Sequence, residues 1–192
     1  MPQTIDDYAI DLERSPECAR RIAIILGLFV QVEHGFVPTM SWAAGMSLDQ
    51  ARVLLELQKQ NSRKMTFPRR VCEGIPPEWP RDVDTGKAFA AAALAANRIR
   101  NTYAHASYGA AGGAGSEVLR VAVFAETTSS AARVEIATPE LLDAEIRFLK
   151  SLVVVMSNYV EARTANAPVN LQEIQDLVSI TPMPVQHTPQ MT

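Results

Sequence analysis

The sequence predicts a mainly all-α protein, a helical bundle of about five helices with a small β-hairpin insertion before the last long helix. Three observations carry this. Long stretches repeat apolar residues at steps of three and four. Capping residues followed by proline and glutamate open two of these stretches. Only one short region, near 118–136, alternates apolar and polar residues at period two.

The first helix starts at Ser15-Pro16-Glu17: a capping side chain, then proline in the first turn, then an acid at the positive end of the helix dipole. Its stripe is Ile22, Ile25, Leu26, Phe29, Val30 and Val32, wide enough to be buried on most sides. Gly35 and Pro38 are expected to loosen or end it. Ser47 opens a second helix, with Gln50 at the capping-box position and an apolar face of Ala51, Leu54, Leu55 and Leu57. A short third helix is expected over 62–72, cut by Pro68, and then a proline-punctuated loop over 73–82. Asp84-Thr85 precede an alanine-rich helix that reaches Ser107 in the pattern and stops at Gly109, Gly112, Gly113 and Gly115. Segments 118–124 and 132–136 read as a hairpin. Thr138-Pro139-Glu140 then restarts a helix whose stripe is Leu142, Ile146, Leu149, Val153 and Met156. The domain reading is therefore a polar lead-in over 1–14, a helical domain over 15–163, and a proline-rich tail over 164–192. That tail is expected to be mobile or to dock on a protein partner, with one amphipathic turn at 171–180.

The composition narrows the function classes. With 47% hydrophobic and 20% charged residues, the chain can bury a core and is not a disordered tract. A net charge of −3 excludes a protein that coats nucleic acid by bulk charge, but leaves room for a local basic cleft. Cys18 and Cys72 do not make a disulfide framework. With His34, His105 and His187 scattered along the chain, neither residue type offers metal-ligand spacing, so no metal and no cofactor is expected. The acidic N-terminus is not a secretory signal, and the apolar run 22–32 is too short to span a bilayer. The expectation is a cytoplasmic protein without a membrane partner.

One stretch concentrates chemistry: Arg98-Ile99-Arg100-Asn101-Thr102-Tyr103-Ala104-His105, at the end of the alanine-rich helix. At helical spacing Asn97, Asn101 and His105 share a face, and the long side chain of Arg100 reaches toward it. Histidine exchanges a proton near neutral pH, and arginine grips phosphate with a permanently charged planar fork. Such a pair suffices for transfer within RNA. One group moves a proton at the ribose hydroxyl or the leaving oxygen, and the other steadies the charged phosphorane. A blander role is open to the same residues, since cations at a helix C-terminus also satisfy its carbonyls.

The run Arg100-Asn101-Thr102-Tyr103-Ala104-His105 resembles the Arg-Asn-x-x-x-His motif of the HEPN superfamily, whose members are small helical bundles, typically dimers, and in many cases metal-independent ribonucleases of defence and toxin systems. The resemblance spans 15–163, with only the motif specific. It implies a metal-independent endoribonuclease with a composite site in a homodimer cleft, in which His105 is the acid/base, Arg100 binds phosphate and Asn101 orients the site. A toxin subgroup has tyrosine two residues after the histidine. Here Ser107 fills that place and Tyr108 follows it, which speaks against pairing of that type.

Glu33 and Tyr108 are supporting candidates. Glu33-His34 is expected at the end of the first helix. Arg98, Arg63, Lys64, Arg69 and Arg70 are candidate contacts to an RNA backbone, with Phe67 placed to stack on a base; a solvated helix face explains the same cations. Trp42 and Trp79 are read as covering the edge of the core. The alternatives to the enzyme are a non-catalytic HEPN-like module that binds RNA, a nucleotide or a protein through the Arg100/His105 groove, and a regulatory protein acting through its tail.

Overall fold

The computed structural model describes residues 12–13, 15–58, 83–110, 118–123, 133–170, 172–174 and 176. Four helices of eight residues or more lie among them: α1 (Pro16–Ala44), α2 (Leu48–Glu56), α3 (Val83–Ala104) and α4 (Pro139–Thr164). Between α3 and α4 run three strands, β1 (Ala106–Ala110), β2 (Leu119–Val123) and β3 (Arg133–Ala137). The protein is a mainly all-α helical bundle with a small antiparallel sheet, as its sequence predicts. The expected helix over 62–72 and the loop over 73–82 lie outside the described residues.

The start signals act as read. Ser47 Oγ accepts from the backbone N–H of Gln50 at 3.2 Å, while Gln50 Oε1 accepts from the Ser47 N–H at 2.9 Å, a reciprocal capping box. Thr138 Oγ1 accepts from Leu141 N–H at 3.3 Å, ahead of Pro139 at the first helical position.

Two expectations about helix ends are corrected. Helix α1 does not stop at Gly35 or Pro38 but runs 29 residues to Ala44. Pro38 removes one backbone donor, yet Thr39 Oγ1 donates to the Gly35 carbonyl at 2.7 Å, and Phe36, Met40, Ala43 and Ala44 are buried on either side of the proline. Burial of that face outweighs the lost hydrogen bond. Glu33-His34 is therefore a mid-helix pair, and Trp42 sits in the last helical turn. At this length α1 is also long and apolar enough to cross a bilayer by length and composition alone, a test that a core helix of a soluble protein passes too.

The second correction concerns α3, which ends at Ala104. The segment expected to be glycine-rich release begins with strand β1, and Gly109 lies within it, paired with Arg120. The sheet has strand order β1-β2-β3, one strand more than the expected hairpin. Small residues and a glycine give β1 little strand propensity of its own; pairing with β2 supplies the order.

The chain divides into two compact units. Among the described residues, the first takes in those within 12–27 and 99–147. Its core holds Cys18, Ile22, Ile25, Ile99, Tyr103, Leu142 and Ile146, closed by the inner sheet face of Leu119, Val121 and Ala137. Arg21 ties α1 to α4, with Nε 2.9 Å from Asp143 Oδ1 and Nη2 3.3 Å from Oδ2. This fork holds the Asp143 carboxyl below its ordinary range. The second unit takes in the described residues within 28–98 and 148–176. There Phe29, Phe36, Phe89, Leu149, Leu152 and Met156 are all fully buried. The Phe89 and Tyr159 rings lie 5.2 Å apart and tilted, and the Arg163 guanidinium sits 5.5 Å over Tyr159. In the tail, Ile174 is buried; residues 177–192 lie outside the described set.

Candidate functional site

The motif residues 100–105 all belong to the first unit. Arg100, half-buried, donates from Nη1 to Asn101 Oδ1 at 2.9 Å, and the same nitrogen lies 3.1 Å from Nε2 of the exposed His105. The structure thus brings together the three residues that the sequence singles out. It does so by a route that helical spacing does not give. Positions five apart on a continuous helix point about 140° away from each other. Because α3 stops at Ala104, His105 sits in a turn, and its ring comes back to the guanidinium.

A guanidinium carries only donors, so a hydrogen bond between the two side chains requires Nε2 as its acceptor. Asn101 in turn holds the guanidinium through its side-chain oxygen. The arrangement can present a cation and a titratable nitrogen to one anionic group arriving from solvent.

The expected polar face is only partly realised. Asn97 is 2% exposed, with its Oδ1 buried and without a hydrogen-bond partner among the described residues, and it belongs to the second unit. Asn101 is half-buried and His105 exposed. Arg98 is exposed on α3. Glu33 is half-buried in the second unit. Arg63, Lys64, Arg69 and Arg70 lie outside the described residues, as do Phe67, Trp79, Cys72 and His187. Cys18 is fully buried. Among the described residues no group of three or more His, Cys, Asp or Glu side chains could hold a metal ion.

Behind the motif lies a polar cluster from which the sequence reading singles out Tyr108 but not Glu145. The Tyr103 hydroxyl donates to Glu145 Oε2 at 2.6 Å, with Tyr103 4% and Glu145 2% exposed. The Tyr108 hydroxyl donates to the Tyr103 carbonyl. In the sheet, Tyr108 pairs with Val121 and Val121 with Glu135, so Tyr108 and Glu135 share the inner face. Burial pushes the Glu145 carboxyl up to about 7, against the opposing effect of the Tyr103 hydrogen bond, and nearby Glu135 pushes it the same way as burial. Burial raises the Tyr103 phenol far above its usual range, reinforced by Glu145, and raises Tyr108 to about 12. A signal for Glu145 exists in the sequence: it is a carboxylate inside the stripe of Leu142, Ile146 and Leu149.

A cavity of about 210 Å³ lined by Gly35, Pro38, Met156, Ser157, Val160 and Glu161 lies within the second unit and includes none of the motif residues. Compared with protein-family models, with curated proteins and with solved structures, the chain matches none of them.

Proposed function

We propose that this protein is a HEPN-like, metal-independent endoribonuclease of the cytoplasm, working as a homodimer with a composite cleft, in the setting of defence or toxin biology. The observation that supports this reading is the 3.1 Å approach of Arg100 Nη1 to His105 Nε2 on a solvent-reachable helix end, within a motif of the right residue types. An RNA phosphodiester entering between the two side chains takes the guanidinium on a non-bridging oxygen and frees the imidazole. Neutral His105 then accepts the proton of the ribose 2′-hydroxyl as its oxygen bonds to phosphorus. The bond to the 5′-oxygen breaks, and that oxygen takes a proton from a second acid, the equivalent histidine of the other protomer in a composite cleft. Arg100 steadies the phosphorane and Asn101 holds the guanidinium in place. Arg98, and the cations at 63, 64, 69 and 70, would track the backbone.

The test is cleavage of RNA in the presence of chelator. Wild type is expected to cut, and His105→Ala and Arg100→Ala to lose at least about 100-fold in rate. Equal cleavage by wild type and His105→Ala, or none by either, removes the enzyme reading. A second reading is favoured by the same contact: with Nε2 occupied by Arg100, the groove serves equally as a non-catalytic module for RNA, a nucleotide or a protein. Binding that survives His105→Ala, is lost with Arg100→Ala and brings no turnover would establish that reading.

A further inference from the structure

We propose that Tyr103, Glu145 and Tyr108 are positioning residues for the Arg100–His105 pair: their two hydroxyl hydrogen bonds set where α3 ends, and therefore where His105 leaves it. The last carbonyls of a helix have no intrahelical donor, and the place where they find other partners determines where the helix stops. The Tyr103 carbonyl is one of them, and it receives the Tyr108 hydroxyl from β1. Tyr108 is fixed in turn by its register with Val121. The Tyr103 ring points the other way, into the core of the first unit, where its hydroxyl meets Glu145 of α4 at 2.6 Å. The residue is thus held at both its carbonyl and its side chain, by two different elements. It lies two positions before His105 and three after Arg100.

The consequence for the site is geometric. One further residue of helix would carry His105 round the axis, away from Arg100. Releasing either hydroxyl contact lets the end of α3 fray or extend, and the 3.1 Å approach is lost without any change to Arg100 or His105 themselves. Three acids or phenols face the Glu145 carboxyl region: Tyr103 from α3, Glu135 from β3, and Tyr108 from β1 through its contact with Tyr103. The substitution Glu145→Gln keeps an acceptor for Tyr103, whereas Glu145→Leu does not.

The experiment reads the histidine ring directly, with the full chain labelled with ¹⁵N and the His105 resonances assigned by their loss in His105→Gln. Wild type at a pH where the ring is neutral is expected to show mainly the Nδ1–H tautomer, which the Arg100 contact imposes. Tyr108→Phe removes one hydroxyl from a half-buried ring, and is expected to return His105 to the Nε2–H tautomer that free imidazole side chains favour. Tyr103→Phe and Glu145→Leu should do the same, and Glu145→Gln should retain the wild-type signature. A role confined to stability would lower the melting temperature of Tyr108→Phe and leave the ring signature unchanged, which overturns the proposal. So would an Nε2–H ring in wild type. Should Tyr103→Phe or Glu145→Leu fail to fold, Tyr108→Phe decides alone. The proposal rests on the ribonuclease reading only for turnover: there, Tyr108→Phe should lower kcat by up to about 100-fold with little change in KM. If wild type cuts no RNA, that reading falls, while the ring signature still decides this one.

Discussion

Replacing Glu145 by glutamine should make the protein more stable at alkaline pH, although it removes half of a buried carboxylate–phenol pair. Glu145 is 2% exposed, and burial raises its carboxyl from an ordinary 4.5 to about 7. Between those values the folded chain holds a proton that the unfolded chain has released, so stability falls as pH rises. The contribution of the protonated carboxyl is complete below about pH 4.5 and is lost as pH climbs through about 7. A shift of this size corresponds to about 3 kcal/mol. Glutamine presents the same acceptor to Tyr103 and does not titrate. Urea unfolding of both proteins from pH 4 to pH 8 measures the difference. Near pH 4 the two should be of similar stability. By pH 8 the variant should lead by up to about 3 kcal/mol. The difference between the two curves isolates this residue from every other titrating group, including Asp143, which the Arg21 fork holds low and which therefore loses its contribution only under acid. A difference that stays constant with pH, or a variant that is less stable at pH 8, would refute the burial argument.

Other substitutions test the fold. Gly27→Ala should raise stability by about 0.5–1 kcal/mol in thermal melts, since the glycine lies on an exposed face of α1 where a methyl would meet no atom within 4 Å. Leu149→Ala, at a fully buried position of α4, should lower stability by about 2–5 kcal/mol in urea unfolding. Ser47→Ala should cost about 1 kcal/mol and speed amide exchange at the start of α2, because it removes the acceptor of the Gln50 N–H.

Elements that carry strong local signals are legible from residue order alone. Ser47 with Gln50 and Thr138 with Pro139 start helices because capping is a contact between near neighbours, visible at fixed spacing. Of the stripe Leu142, Ile146, Leu149, Val153 and Met156, all but the half-buried Val153 are buried, because a helix turns by a constant angle. The motif Arg100-Asn101-His105 was legible for the same reason: it is a local pattern. Tertiary structure decided what local signals contradict. Helix α1 passes Pro38 because its flanking residues are buried, and β1 exists because β2 pairs with it. The meeting of Arg100 with His105 also belongs to tertiary structure, since helical periodicity would hold them apart and only an early end to α3 brings them together. That end is bound by partners 5 and 42 residues along the chain from Tyr103, Tyr108 and Glu145. Contacts over the longer of these separations depend on how α3, α4 and the sheet pack, which no spacing within one segment encodes.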